Sequence, residues 1–310
     1  MPDALHDGLL TSLEDLLGPS EGRYFAAGYR GVRHTLSTPR PEGGTLTATA
    51  TAHYPRDWST DGSGRPRTPH LSSVDAVVLT TLALEDALGP GAARQWVRDV
   101  ELRGGTEPWW DLDTVPVTVS PEPADDGARY RGTVGNIRAV VHLAGEAAAP
   151  SGAVVPHGDG PSVYHDAYRR TVCTTWVRPV DRVAQDVRAT HEFAVDGPDA
   201  PSGASGIESA YHPALTVVDY LVTMGQLTQV LVYELAGTAR AAVGNLWMRS
   251  LRILGVPRPS PLPATLTTTT TLAHDRLVTR GGAGLHDVLV RSESSNGVHA
   301  EARLAWGEVA

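Results

Sequence analysis

Two stretches of the chain carry apolar residues at the spacing of a long, largely buried helix. They are 72–89, which ends on Gly89 and Pro90, and 216–237, which ends on Gly237. Apolar side chains at helical spacing that are closed by glycine are typical of a helix and its end. The pattern therefore predicts two long helices, one in each half of the chain.

Runs that alternate between apolar and polar residues, or are rich in β-branched residues, follow each predicted helix. They are 94–105, 114–120 and 128–147 after the first helix, and 244–256, 264–278 and 286–309 after the second. Such runs predict antiparallel strands. Each half of the chain is thus expected to be one long helix followed by several strands.

The two halves also match in sequence. Asp75 in SSVDAVVL aligns with Asp219 in TVVDYLVT, and Trp96 in WVRDVELRG aligns with Trp247 in WMRSLRILG. A repeat of roughly 150 residues is too long for a solenoid repeat and suits two fused domains.

A helix that is apolar nearly all round must be wrapped, and a curved antiparallel sheet is the element available to wrap it. We therefore predict an α+β fold of the double-hotdog type, with two fused units of one central helix and one curved sheet each. The N-terminal unit is expected at 1–146 and the C-terminal unit at 166–310. An Ala-, Gly- and Pro-rich linker is expected at 147–165.

The composition restricts the class of partner. The chain has 310 residues and a formal net charge of -9, so we expect it to bind neither nucleic acid nor an anionic membrane. No apolar run reaches the roughly 18 residues that a membrane helix needs. The first 22 residues are acidic and predict an amphipathic helix, not a signal peptide. A cytoplasmic protein is expected, and no metal or cofactor is predicted, because no ligand spacing or cofactor motif is present.

Each predicted helix begins with a hydroxyl residue that is followed three positions later by an aspartate. Ser72 with Asp75, and Thr216 with Asp219, fit the capping box, in which both side chains bind backbone amides of the first helical turn. Capping explains both aspartates without any chemistry. A capping aspartate can also be a catalytic acid, so both interpretations stay open for Asp219.

The second predicted helix carries a polar stripe that the first one lacks. Gln226 lies seven residues after Asp219 and on the same helical face, with Thr223 between them. A buried amide needs hydrogen-bonding partners, which are either the polar wall of a substrate pocket or the carbonyl of a neighbouring strand. The pocket interpretation gives the candidate substrate-binding residues Asp75, Tyr211, Thr223, Gln226 and Gln229.

A histidine stands in the loop before each predicted helix. His70 lies five residues ahead of Asp75, and His212 lies seven residues ahead of Asp219. A lone loop histidine is usually a surface residue, but two at matching places of a duplicated unit favour chemistry. An imidazole at a helix N-terminus can act as a general base while the first-turn amides polarise a carbonyl oxygen. His70, His212 and Asp219 are therefore the candidate catalytic residues.

Three segments carry a resemblance to a known family. They are LEDLLGPSEGRYFAAGYRGVRHTL, AHYPRDWSTDGSGRPRTPHLSSVDAVVL and WVRDVELRGG, and they resemble the AvrD family, bacterial proteins associated with making syringolide elicitors. The resemblance implies a biosynthetic enzyme that condenses a β-ketoacyl thioester, carried by CoA or acyl carrier protein, with a ketose such as xylulose or a small hydroxyketone. The expected product is a butenolide-type acyl glycoside, a small signal molecule, and the chemistry is similar to that of A-factor synthases.

Other functions are compatible with the same residues. Double-hotdog dehydratases take a histidine from one half and an aspartate from the other half's helix. His70 is not followed by the Gly and Pro of their motif, and Asp219 is not followed four residues later by Gln or His. A thioesterase, and a non-catalytic acyl-ligand binding protein in which both aspartates only cap, are further alternatives. The exposed edge strands of hotdog sheets make a homodimer plausible.

Overall fold

The computed structural model describes residues 10–124, 127–145, 160–197, 203–240, 246–280 and 283–307. Its strands are β1 (Thr11–Ser12), β2 (Arg33–Leu36), β3 (Arg40–Glu42), β4 (Thr45–His53), β5 (Gln95–Arg103), β6 (Val115–Glu122), β7 (Ala128–Val134), β8 (Ile137–Gly145), β9 (Thr171–Val177), β10 (Asp186–Val195), β11 (Trp247–Leu254), β12 (Ala264–Arg280), β13 (Ala283–Ser294) and β14 (His299–Trp306). Its α-helices are α1 (Leu13–Leu17), α2 (Tyr29–Gly31), α3 (Ser73–Leu88) and α4 (Val217–Ala236). A π-helical turn spans Tyr24–Gly28, and short 3-10 helices span Gly89–Arg94, Ala167–Arg170 and Ser209–Tyr211. Among the described residues, no helix is both long and apolar enough to cross a membrane.

The strands form one antiparallel sheet of two halves that meet at β5 and β11. The order is β1-β9-β10-β12-β13-β14-β11-β5-β8-β7-β6-β4-β2, and β3 pairs with β4 outside that order. At the junction Leu102 of β5 lies opposite Leu251 of β11. Trp96 and Trp247, which the sequence repeat aligns, lie at the start of these two central strands. The duplication is therefore centred on this strand pair.

One long helix packs on each half of the sheet. Helix α3 contacts β6, β7 and β8, and helix α4 contacts β10, β11 and β12. Val77, Val78 and Leu79 of α3 are fully buried, as expected for a helix with no polar face. The structure is the predicted α+β double hotdog, with a long helix against a curved antiparallel sheet twice over.

The N-terminal segment packs on the second half of the sheet. Strand β1 pairs with β9, and Leu13 and Leu17 of α1 enter the core around α4. The predicted helix over the first 22 residues is wrong in extent, because α1 ends at Leu17. Gly18 follows with a φ of 84°, a backbone conformation that ends a helix, and Pro19 comes next. The part of that prediction at residues 1–9 lies outside the described residues.

Most of the predicted linker, at 147–159, also lies outside the described residues. Its last part is packed: Val163 and Tyr164 are buried, and the Tyr164 hydroxyl donates to Glu208 Oε1 at 2.9 Å. The division into units at 1–146 and 166–310 stays a prediction.

Glycine allows three segments to approach one another closely. A Cβ at Gly225 of α4 would lie 3.1 Å from the Phe25 ring, and a Cβ at Gly28 would lie 1.9 Å from the Trp58 carbonyl oxygen. No larger residue fits at Gly28 without moving that backbone. The π-helical turn, the loop before α3 and helix α4 are thereby brought together.

Candidate functional site

A cavity of about 470 Å³ lies where the start of α3, one face of α4 and the middle of the sheet meet. Its buried wall is mostly apolar and includes Leu221, Met224, Ile253, Val290, Ala300 and Leu304. Its exposed rim includes Thr106, Glu107, Trp247 and Arg249. A mostly apolar cavity of this size can enclose the apolar part of a small ligand.

The first turn of α3 forms part of the cavity wall through Ser72 and Ser73. The Ser72 hydroxyl caps the helix by accepting from the Asp75 backbone amide at 3.1 Å, as the capping box predicts. Within the described part of the chain, the backbone amides of Ser73 and Val74 donate to no acceptor. These amides carry the positive end of the helix dipole, so the start of α3 favours negative charge.

His70 lies half-buried on the cavity wall, next to this helix start. Its ring is surrounded by three tryptophan rings, with centroid distances of 5.8 Å to Trp58, 5.8 Å to Trp110 and 5.3 Å to Trp247. Burial lowers the pKa of His70 below its ordinary value. The imidazole is therefore neutral near pH 7 and can accept a proton.

Asp75 is completely buried beneath the loop that carries His70. Its carboxylate lies 2.7 Å from His34 Nε2, accepts from the Ser72 backbone amide at 2.7 Å, and accepts from the Tyr54 hydroxyl. Burial alone would raise the pKa of Asp75, but the hydrogen bonds and the neighbouring His34 outweigh it, and the pKa is lowered. The Tyr54 hydroxyl also reaches the His70 carbonyl at 3.0 Å. Through the Tyr54 hydroxyl, Asp75 thus anchors the loop that carries His70.

Two hydroxyl groups meet on the cavity wall between the N-terminal segment and α3. The Tyr24 hydroxyl lies 2.5 Å from Ser72 Oγ, and both residues line the cavity. Burial raises the pKa of Tyr24 well above its usual value, and the charge of Asp75 adds to the rise. Tyr24 therefore stays protonated and can donate a hydrogen bond.

The start of α4 repeats the cap of α3 in different surroundings. Asp219 accepts from the Thr216 backbone amide at 2.7 Å and from the Thr216 hydroxyl at 2.9 Å. Burial raises the pKa of Asp219 to about 7, against these hydrogen bonds. The Thr223 hydroxyl donates back to the Asp219 carbonyl at 2.7 Å, which satisfies it within the helix.

The two residues before α4 lie half-buried and apart from the cavity. The Tyr211 hydroxyl donates to the Arg94 carbonyl at 3.0 Å. Within the described residues, buried His212 Nε2 has no hydrogen-bonding partner. Burial, followed by the charge of Arg170, lowers the pKa of His212.

The two glutamines of α4 have different surroundings. Gln226 is buried, and its Oε1 accepts from Arg23 Nη1 at 3.0 Å. Its partner is therefore not a strand carbonyl, and Gln226 itself does not line the cavity. Gln229 lines the cavity. Of the eight predicted site residues, the described cavity wall contains His70 and Gln229; the six outside it are Asp75, Tyr211, His212, Thr223, Asp219 and Gln226.

Several cavity residues were missed by the sequence analysis. They are Tyr24, Ser72, Ser73 and the arginines Arg23, Arg67 and Arg240. Tyr24 and Arg67 lie in the segments that resemble the AvrD family, and that resemblance was the available signal. In the described part of the chain, no group of three or more His, Cys, Asp and Glu side chains is placed to hold a metal ion.

Comparisons with known proteins identify one family and several solved structures. The sequence model of the Pseudomonas avirulence D protein (AvrD) family matches residues 8–305, whereas a search of the curated proteins finds no significant match. A protein described as a thioesterase from Novosphingobium aromaticivorans is 11% identical over 89% of this chain and 100% of that chain, with a TM-score of 0.43. A hot dog fold protein of unknown function from Alicyclobacillus acidocaldarius is 11% identical over 89% and 96%, with a TM-score of 0.42. The dehydratase domain from the CurJ module of curacin polyketide synthase is 10% identical over 89% and 96%, with a TM-score of 0.36.

Proposed function

The chain belongs to the AvrD family, as its sequence predicted, and we propose that it condenses a β-ketoacyl thioester with a ketose or a small hydroxyketone. The observation that carries the proposal is the position of His70. This neutral imidazole stands on the wall of an apolar cavity, beside the unpaired first-turn amides of α3. A base, an oxyanion-stabilising group and an apolar binding space are the three parts that acyl transfer from a thioester needs.

The acyl chain is the part of the substrate that fits the buried wall. Leu221, Met224 and Val290 are largely shielded from water, so an alkyl chain placed against them gains about 0.8 kcal/mol for each buried CH₂ group. The thioester then lies towards the start of α3, because His70, Ser72 and Ser73 line the cavity there.

The first step transfers the acyl group to the acceptor. The Ser73 backbone amide polarises the thioester carbonyl, and His70 takes the proton of an acceptor hydroxyl. The hydroxyl oxygen bonds to the thioester carbon, the carbon–sulfur bond breaks, and the thiol leaves with a proton. The product of this step is a β-ketoacyl ester of the acceptor.

The second step closes the ring. The acidic carbon between the two carbonyls of the ester loses a proton and adds to the ketone of the acceptor, and loss of one water gives a butenolide. The Tyr24 and Ser72 hydroxyls lie on the cavity wall, where they can donate to the ketone oxygen as it gains negative charge.

Mass spectrometry of the purified protein with β-ketoacyl thioesters and a panel of ketoses tests this proposal. We expect a new product with the mass of thioester plus acceptor, less one thiol and one water. Reactions without ketose, and with a saturated acyl thioester that cannot close the ring, are the controls.

Each other outcome assigns a different function. Thiol release without an adduct would show a thioesterase, and loss of water from a hydroxyacyl thioester would show a dehydratase. Saturable binding of the thioester without turnover would show an acyl-ligand binding protein. Any of these three results would overturn the condensation.

A further inference from the structure

Four arginines line the cavity: Arg249 stands on its exposed rim with Glu107, and the other three come from separate parts of the chain. Arg23 precedes the π-helical turn, Arg67 lies in the loop before α3, and Arg240 follows α4. Arg23 is 4% exposed, so its guanidinium is held away from bulk water. The chain as a whole has a net charge of -9, so a local concentration of positive charge in this cavity is opposite in sign to the rest of the protein.

Neutral oxygen atoms hold two of these arginines in place. Arg23 donates to the Pro19 carbonyl at 3.0 Å and to Gln226 Oε1 at 3.0 Å. Arg240 donates to the carbonyls of Gly22 at 3.0 Å and Thr60 at 3.3 Å. Within the described residues no carboxylate forms an ion pair with Arg23 or Arg240. Glu14 and Glu21 act on the Arg23 charge from a distance and oppose the lowering of its pKa. The two guanidinium groups are therefore oriented by neutral oxygens, with no carboxylate in direct contact among the described residues.

Arg240 interacts electrostatically with each of the other two arginines. Burial and then the charge of Arg240 lower the pKa of Arg23 to about 10, and burial and then the charge of Arg67 lower the pKa of Arg240. Burying like charges side by side is unfavourable unless a counter-charge is present. An anion in the cavity would supply that counter-charge.

Two polar residues of α4 complete this side of the cavity. Gln229 and Tyr233 are four residues apart and so share a helical face, and both line the cavity. Burial raises the pKa of Tyr233, while the charges of Arg240 and Arg67 oppose the rise, so the phenol stays protonated and can donate a hydrogen bond to an anion.

We propose that Arg23, Arg67 and Arg240, with Gln229 and Tyr233, bind a phosphoryl group of the substrate. A phosphoryl dianion presents three oxygens and nearly two charges, which suits several separate guanidinium donors, whereas a single arginine fork satisfies a carboxylate. The proposal rests on the function proposed above as far as the substrate is concerned. The phosphoryl group belongs either to a phosphorylated acceptor, where it is this dianion, or to the pantetheine arm of the acyl carrier, where it is a diester with a single charge.

Calorimetric titration with inorganic phosphate tests the site without any reaction. We expect saturable binding by the wild-type protein, and about tenfold or greater weakening in Arg67→Met and in Arg240→Met, since each removes charged hydrogen bonds to the anion. Arg138→Met, at an exposed position of strand β8, is the matched control and should bind like wild type. If Arg240→Met loses its fold through its contacts to Gly22 and Thr60, Arg67→Met alone decides. No saturable binding, or equal affinity in wild type and Arg67→Met, would overturn the proposal.

Kinetic comparisons identify the source of the phosphoryl group. A higher KM in Arg67→Met for a ketose phosphate, but not for the free ketose, assigns it to the acceptor. A higher KM for an acyl-CoA, but not for the acyl N-acetylcysteamine thioester, assigns it to the carrier. Phosphate binding without condensation would leave this site standing and remove the proposed reaction. Condensation with unchanged KM for all four substrates would leave the reaction standing and remove the site.

Discussion

Helices α3 and α4 begin in the same way and meet different surroundings. At each start an aspartate carboxylate accepts from the backbone amide of the N-cap residue at 2.7 Å, Asp75 from Ser72 and Asp219 from Thr216. Each preceding loop is tied to the segment after a central strand, by Leu71 N to the Trp109 carbonyl at 3.0 Å and by Leu215 N to the Ser260 carbonyl at 2.9 Å. The local geometry has been kept in both copies.

The segments that follow the two central strands differ. After β5, residues 104–109 line the cavity, and its exposed rim includes Thr106 and Glu107. After β11, the proline-rich segment 256–262 closes onto the loop before α4, where Ala214 bridges to Pro261 and Leu262 N donates to the Pro213 carbonyl at 3.1 Å. One helix start thus faces the cavity, while the other is closed over by chain.

The two aspartates differ accordingly. Asp75 gains His34 and Tyr54 as partners, and its pKa is lowered. Among the described residues, Asp219 accepts side-chain hydrogen bonds only from Thr216 of its own cap, and burial raises its pKa to about 7. The capping box of α3 therefore also supports the loop beside the cavity, whereas the capping box of α4 only caps its helix.

Removing each loop histidine gives the largest expected difference. We expect His70→Ala to lower kcat/KM for thiol release from the acyl thioester by about 100- to 10,000-fold, the usual loss of a general base. His212→Ala should stay close to wild type, because His212 does not line the described cavity.

The pH dependence of the same reaction provides a second check. His70 must be neutral to accept a proton and its pKa is lowered, so wild-type activity should fall with acidification only below the ordinary histidine pKa of about 6.5. Loss of activity in His212→Ala together with normal activity in His70→Ala would transfer the active site to the start of α4.

Exchanging each aspartate for asparagine tests the difference in support. Asp75→Asn should lower the free energy of unfolding by about 3 kcal/mol, because an amide cannot accept from His34, Tyr54 and the Ser72 amide together. Asp219→Asn should lose about 1 kcal/mol or less, since it gives up only part of a cap. Urea unfolding of both variants at neutral pH measures the difference, and equal losses would contradict the comparison.

Much of the fold could be predicted because it follows from periodicity within single segments. Helices α3 and α4, the capping boxes and the paired central strands all depend on residues close in sequence. The extent of α1 could not be inferred that way, since an acidic amphipathic pattern does not show that Gly18 turns the chain. The double hotdog could be predicted because two helices that are apolar on nearly every face need a curved sheet to cover them.

The site was harder to predict because helical spacing shows which residues share a face but not what covers that face. The stripe Asp219, Thr223 and Gln226 suggested a pocket on α4. In the structure Thr223 bonds to its own helix, and Gln226 holds Arg23 of the N-terminal segment. A contact across 203 residues leaves no mark on local spacing. His70 was found because a histidine before a helix start is a pattern that sequence can display.

The pH dependence of stability should differ in sign between the two aspartates. The pKa of Asp219 is raised, so the folded state holds its proton longer, and stability is lost as pH rises from the ordinary carboxyl value of about 4 through about 7. In Asp219→Asn, the fall in the free energy of unfolding over this pH range should be smaller than in the wild type by on the order of 2 kcal/mol. The pKa of Asp75 is lowered, so its contribution is present above about 4 and is lost on acidification.

Urea unfolding at a series of pH values measures both effects. The decline between mildly acidic and mildly alkaline pH should be shallower in Asp219→Asn than in the wild type. A wild-type profile that matches the Asp219→Asn profile throughout this range would show that the carboxyl group titrates normally in the folded protein.

The smallest expected effect separates the two N-cap residues. Ser72→Ala and Thr216→Ala should each lower the free energy of unfolding by about 1 kcal/mol, the usual loss of an N-cap side chain. Only Ser72 lines the cavity, where its hydroxyl meets that of Tyr24, so only Ser72→Ala should also slow the reaction, by about tenfold. Stability and kcat/KM must be measured on the same preparations. Equal kinetic losses would mean that the caps act through helix stability alone, whereas a kinetic loss confined to Ser72→Ala would show that the start of α3 takes part in the chemistry.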